Sequence, residues 1–228
     1  MRIELLEEVD STNDYVKKYL EGGENVVVCA ERQSKGRGTK GRSFLSEKGG
    51  VYLSALIFHE DLLAADAFRV MAHAAVSVCE TVLAFGAKPQ IKWPNDILLG
   101  GKKCCGILIE NILSGDRIRA SIVGIGLDVV NDLSDLKEIA RSLSNCVDNP
   151  PTVEEVRDAL IMNFCKPSTF SRYLSFIDFL GQEITVVRGE ERFSAVAHRI
   201  LSDGRLEIRR EGTLQVLSAA EISIRLSL

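Results

Sequence analysis

Several familiar marks of function are scarce in this chain of 228 residues or missing from it. It has one Trp, five Pro, three His and only 6% aromatic residues. The first ten residues carry four acids (Glu4, Glu7, Glu8, Asp10) and no apolar h-region, so no secretory signal is expected there. The most apolar stretch, 62–87, is interrupted by Asp66, Arg69, His73 and Glu80, which reads as a buried helix and not a membrane span. The six cysteines show no CxxC or Cys/His spacing, which argues against a zinc site. Without a secretory signal they are expected to be reduced and mostly buried, in a cytoplasmic protein. No GxxxxGK[ST] P-loop, internal repeat or low-complexity tract is present. A net charge of −4 argues against a general coat for nucleic acid.

What remains is an ordinary globular composition, 46% hydrophobic and 26% charged. The patterning predicts a helix over 9–20 capped by Ser11, Thr12 or Asn13. It further predicts buried strands at 25–31 and 50–58, a long helix over 61–85, short strands at 90–93, 95–99 and 104–112, and a strand at 118–130. Thr152 caps a further helix that ends near Pro167. After Gly181 the pattern changes to four or five short strands, which suggests a small β-barrel and a boundary near 178–181.

Four groups of residues carry candidate chemistry. Arg32–Arg42 (RQSKGRGTKGR) interleaves five basic residues with three glycines. Glycine lets backbone N–H groups approach an anion and Arg adds a forked grip, so anion binding is the first reading and a solvated loop the second. Lys92–Asp96 (KWPND) puts the lone Trp beside polar groups at a strand end, either a binding turn or only a rigid one. Lys103 sits just before a buried strand, where it can aim a charge into a cavity. Gly124 and Gly126 inside a strand suggest close approach by a ligand or another backbone. The histidines lack partners in sequence, and His73 reads as structural.

Taken in order, STN (11–13), GRGTKGR (36–42), KWPND (92–96), KKCCGILIE (102–110) and GIGLDVVN (124–131) resemble the biotin protein ligases over nearly the whole chain. The resemblance implies an α+β fold: a mixed-sheet, class II synthetase-like catalytic domain (1–178) and a small SH3-like C-terminal β-barrel (179–228). It implies ATP-dependent biotinylation of a lysine on the biotin carboxyl carrier protein domain of a biotin-dependent carboxylase, through biotinyl-5′-AMP. The chain looks like the short class without a DNA-binding module, so no DNA partner is expected, nor any membrane. The strand edges of a central sheet leave room for a homodimer.

By the same resemblance, Ser11, Thr12, Asn13, Gln33, Gly36, Arg37, Gly38, Trp93, Lys103, Gly106, Gly124 and Gly126 match biotin contacts. Arg37, Thr39, Lys40, Arg42, Phe44, Asn95, Lys103 and Asp128 match positions at ATP or the adenylate. Arg37, Lys103 and Asp96 match catalytic positions. Mg²⁺ is expected mainly on the ATP phosphates, with Asp96 a candidate ligand. Three residues depart from the family pattern. Thr39 stands where Arg is frequent, which implies faster loss of the intermediate unless Lys40 substitutes. Asp128 stands where Asn is common, and an acid there repels phosphate. Phe44 replaces a frequent Trp. Alternatives are a lipoate or octanoate ligase or transferase of the same superfamily, a biotin-binding protein without catalysis, and a nucleic-acid module using the basic segment. The loop at 34–45 is expected to be unordered without ligand.

Overall fold

A computed structural model describes residues 1–219 and 223–226. Seven strands make the main sheet: β1 (Arg2–Val9), β2 (Val26–Gln33), β3 (Gly50–Phe58), β4 (Pro89–Lys92), β5 (Asp96–Leu99), β6 (Lys102–Ser114) and β7 (Arg117–Asp128). Their order is β1-β2-β3-β7-β6-β5-β4, with β1 and β2 parallel and the remaining pairs antiparallel. Four helices accompany it: α1 (Thr12–Val16), α2 (Phe68–Ala84), α3 (Val153–Phe164) and α4 (Phe170–Leu174). A second, antiparallel sheet follows in the order β11-β10-β9-β8-β12, built from β8 (Glu183–Arg188), β9 (Glu191–Ile200), β10 (Leu206–Arg210), β11 (Thr213–Leu217) and β12 (Ser223–Leu226). The architecture is α+β.

The Val-rich run of β2 is buried on both sides, which explains why it reads as continuous and not alternating. Val27 and Cys29 join the large cluster beneath α2, whereas Val26 and Val28 join a smaller one with Val16, Leu56, Ala120 and Ile122. α2 contributes Ala72, Ala75, Val78, Cys79 and Val82 to the large cluster, where small side chains let the helix lie close to the sheet. The stretch Ala64–Ala84 is long and apolar enough by composition to cross a membrane, contrary to the reading of 62–87 as too polar; 56% of its most apolar window is buried within the fold. The large cluster runs on into the second sheet through Ile184, Val186, Ala197 and Leu206.

Three elements differ from the sequence reading. β1 was not expected, because its acids mask the strand period. It is an edge strand with one neighbour, and Ile3 and Leu5 remain about half exposed, the charged dress usual for an edge. The first helix is shorter than 9–20, since β1 consumes Val9 and α1 gives way to a 3₁₀ turn at Lys17–Tyr19. The long helix starts at Phe68, not 61, because the preceding segment is tied to the β6–β7 hairpin by Ala64 N–H to Asp116 O (2.8 Å) and a Leu63–Arg117 bridge. Thr152 does cap α3, in a box with Glu155. Four cysteines are buried, Cys146 is partly buried and Cys165 is exposed. His73 bonds Ser168 Oγ and Phe164 O, a structural arrangement.

Candidate active site

One cleft opens over the sheet where β7 loses its side chains. On this face β7 reads Ala120, Ile122, Gly124, Gly126; the first two lie in the small cluster with Val16 of α1, and the glycines then clear a space. Their neighbours show why nothing larger fits. A Cβ on Gly124 would sit 2.1 Å from Asn13 Oδ1, and one on Gly126 would sit 2.6 Å from the Phe44 ring. Gly106 lies opposite Gly126 in β6, with Lys103 Nζ and the Phe44 ring 3.0 and 3.1 Å from where its Cβ would be. Ser11, Thr12, Asn13, Gln33, Arg37, Gly38, Thr39, Arg42, Phe44, Asn95, Lys103, Gly106, Gly124 and Gly126 all line this cleft.

At one end the side chains are neutral and paired with one another. Thr12 donates from both N (2.8 Å) and Oγ1 (3.0 Å) to Gln33 Oε1, and Gln33 Nε2 donates to Ser46 Oγ (2.9 Å). The buried Ser54 hydroxyl lies 2.6 Å from Asn13 Oδ1 and 2.7 Å from Thr12 Oγ1. Thus Thr12 and Asn13, expected as helix caps, turn their polar atoms into the cleft, and Ser11 makes no side-chain cap bond. These groups suit a neutral ligand head that offers both donors and acceptors.

The other end is cationic. The basic segment doubles back on itself: Gly38 N–H donates to Arg42 O (2.7 Å), Phe44 N–H to Gly36 O (2.9 Å), and Arg37 bridges Ser43. Lys40 takes the left-handed conformation at the tip (φ 57°). Gly36 does not line the cleft. It lies at the base of this turn, where a Cβ would come 2.3 Å from Phe44 O. Arg42 is held by Thr39 through its O (3.3 Å) and Oγ1 (3.1 Å). Arg37 Nη1 bonds Asp14 Oδ1 (2.7 Å) and Glu110 Oε1 (3.0 Å).

Lys103 reaches the cleft because of a β-bulge. The register shifts between Ile97 and Leu98, whose partners are Cys105 and Lys103, leaving Cys104 as the extra residue. Bulges re-aim side chains: Cys104 and Cys105 are both buried, while Lys103 emerges beside Gly106. Its Nζ pairs with Asp96 Oδ1 at 2.7 Å and stands 5.7 Å from the Phe44 ring centre.

Past Thr39, Arg42 and Asn95 the cleft continues into a second hollow lined by Lys40, Lys92, Trp93, Pro94 and Asp96. Trp93, expected as a wall of the first cleft, belongs to this second one. It is buried because its Nε1 donates to Gly204 O (2.8 Å) of the C-terminal sheet. Asp128 lines neither hollow. It is buried at the end of β7, and burial pushes its carboxyl up to about 7 against the opposing pull of Lys103. Among the described residues, no group of three or more His, Cys, Asp or Glu could hold a metal.

Sequence reasoning missed Ser54, Glu110 and Asp14. Ser54 had a signal, as the one hydroxyl inside an apolar strand other than Tyr52. Asp14 and Glu110 had none, since their partners are set by tertiary structure.

Residues 5–128 match the model of the biotin/lipoate A/B protein ligase family. The bifunctional ligase/repressor BirA of Bacillus subtilis is 43% identical over 127 residues, covering 53% of this chain. The chain spans only 39% of the length of that relative. The biotin–[acetyl-CoA-carboxylase] ligase of Paracoccus denitrificans is 29% identical over 237 residues, 96% of this chain and 98% of the relative. A solved biotin protein ligase from Aquifex aeolicus, in complex with biotin and ATP, superposes with a TM-score of 0.75 at 28% identity, covering 99% of each chain. The glycine-lined cleft and its basic loop thus sit within a matched segment of more than half the sequence, and the chain belongs to the biotin/lipoate A/B protein ligase family.

Proposed function

We propose that this protein is an ATP-dependent biotin–protein ligase. The observation that carries the reading is one cleft with a neutral, hydrogen-bonding end (Thr12, Asn13 and Gln33, with the buried Ser54 behind them) and a cationic end (Arg37, Arg42, Lys103). A molecule with a ureido head and a carboxylate tail fits those two ends in that order. The named activity of the Paracoccus relative and the biotin and ATP in the Aquifex complex support the same assignment.

In the first step a carboxylate oxygen of biotin attacks the α-phosphorus of ATP, the bond to the β-phosphate oxygen breaks, and pyrophosphate leaves. Two anions must meet, so Arg37, Arg42 and Lys103 offset their repulsion and stabilise the charge that builds on the phosphoryl oxygens. Asp96 holds Lys103 at the junction of the two hollows. The loop from Gly36 to Phe44 covers the cationic end and shields the mixed anhydride from water. Without ligand it is expected to open transiently, held only by its own turn bonds and the Arg37 contacts, as loops that close over substrates come from the less stable parts of a fold. In the second step the amine of an acceptor lysine attacks the anhydride carbonyl, the bond to the phosphate oxygen breaks, and AMP leaves. The acceptor is a biotin carboxyl carrier protein domain of a carboxylase. In this reading the described part of the C-terminal segment, 179–219 and 223–226, is the SH3-like unit, and it shares the large apolar cluster with the catalytic part.

The residues present do not build a metal cage: the acid of the second hollow, Asp96, is engaged by Lys103. Any Mg²⁺ arrives on the nucleotide's own phosphates, and no step above runs through it.

Biotin-dependent exchange of labelled pyrophosphate into ATP tests the first step without an acceptor. Exchange with biotin and none with lipoate or octanoate is the expected result. Exchange with lipoate or octanoate moves the protein to the sister activity, and biotin binding without exchange makes it a binding protein.

A further inference from the structure

Beside the cleft, four charged side chains form a closed ring, of which the reaction above uses only Arg37. Arg37 Nη1 contacts Asp14 Oδ1 at 2.7 Å and Glu110 Oε1 at 3.0 Å, and Lys17 Nζ contacts the same two carboxylates at 2.8 and 2.9 Å. Glu110 Oε1 also accepts from Asn13 Nδ2 at 3.1 Å, within the neutral end of the cleft. Several elements meet here: α1 supplies Asp14, the 3₁₀ turn that follows it supplies Lys17, β6 supplies Glu110, and the basic loop supplies Arg37.

Two cations and two carboxylates balance. If Arg37 swings toward a phosphate, Lys17 still faces both acids, so neither carboxylate loses its last cation, although the cluster is left with a net charge of −1 that its partial exposure lets water screen. The ring is also partly exposed, with side-chain accessibilities of 27% for Glu110 and 42% for Arg37, so each contact is weak and readily exchanged. Arg37 can reach an anion in the cleft only in competition with these carboxylates. We propose that Glu110 is a positioning residue: with Asp14 it parks Arg37, and so anchors the basic loop, until the nucleotide phosphates draw the guanidinium away and Lys17 takes over the acids. The nucleotide half of this inference rests on the ligase reading; the parking contact does not.

The test compares wild type with Glu110→Gln, in which the amide oxygen can still accept from Asn13 but the charge that holds Arg37 is gone. Limited trypsin digestion of the full chain without ligands reads the loop directly, because Lys35, Arg37, Lys40 and Arg42 are its cleavage sites. Cleavage within 35–42, mapped by mass, is expected to be roughly two- to fivefold faster in the variant, the range of a partly exposed ion pair. In pyrophosphate exchange the KM for ATP is expected to fall by a similar factor at unchanged kcat, since a competitor for Arg37 is removed. Asp14→Asn should move both readouts the same way, and Glu110→Asp should restore wild-type behaviour in part. Equal cleavage in wild type and both neutralised variants overturns the proposal. A rise in the KM for ATP also overturns it, because Glu110 would then be presenting Arg37 and not withholding it. Absence of any biotin-dependent exchange in wild type refutes the ligase reading instead, and the cleavage comparison then decides the parking contact alone.

Discussion

The two faces of β7 do different work with alternate residues of one strand. Toward α2, Val123, Ile125 and Leu127 fill the large apolar cluster. Toward α1 the strand first reads Ala120 and Ile122, as apolar as the other face, and then Gly124 and Gly126, where Asn13 and Phe44 come close. The contrast shows how a site is made in a sheet: two positions have their side chains removed, and ligand-facing groups from α1 and the basic loop occupy the margin. The packed face should set stability and the emptied face should set chemistry.

The largest test of that division is Lys103, which the bulge moves to the cleft side. Replacing it with Met should lower the biotin-dependent exchange rate by roughly 10²–10³-fold, the cost of one preorganised charge-stabilising group. Stability should change by less than about 1 kcal/mol, because the Lys103–Asp96 pair is partly exposed. Thermal unfolding alongside exchange separates the two effects.

A middle-sized test uses Asp128, which follows the emptied face into the interior. Burial raises its folded-state pKa from the ordinary carboxyl value of 3.8 to about 7, so the native state holds its proton more tightly than the unfolded chain. Its contribution to stability is therefore greatest below about pH 4 and is lost as pH rises toward 7, at up to about 1.4 kcal/mol per pH unit. Asp128→Asn should flatten the stability profile between pH 4 and 7 and raise the Tm at pH 8. The same burial bears on the repulsion expected between this acid and phosphate, since near neutral pH much of the carboxyl is uncharged. The smallest effect belongs to Thr39, whose side chain holds Arg42. Thr39→Arg should slow release of the adenylated intermediate several-fold, read as its dissociation rate; no slowing would mean that Lys40 or Arg42 already fills that role.

Much of the site was legible in the sequence because it lies in short motifs whose residues stay neighbours in space. The glycines at 124 and 126, Lys103 before Gly106, and the basic glycine-rich segment each signalled close approach or anion binding before any pairing was known. What was hidden depends on distant partners. β1 has half-exposed apolar residues among acids, so its strand character comes from pairing with β2. Glu110 looks like the polar end of an apolar run until Arg37, 73 residues earlier, lies beside it. Trp93 belongs to a motif that points at the site, yet its direction is decided by Gly204, 111 residues away.

The most direct measurement is titration calorimetry of biotin against wild type, Gly124→Ala and Leu127→Ala, with the Tm of each. Gly124→Ala should weaken biotin binding by at least roughly tenfold with a smaller loss of Tm than Leu127→Ala, since its Cβ would meet the bonded Asn13 amide at 2.1 Å and displace it. Leu127→Ala should bind like wild type while losing about 2–5 kcal/mol of stability, the usual cost of such a core truncation. Wild-type affinity in Gly124→Ala, or an equal loss of binding in Leu127→Ala, would contradict the division of labour between the two faces.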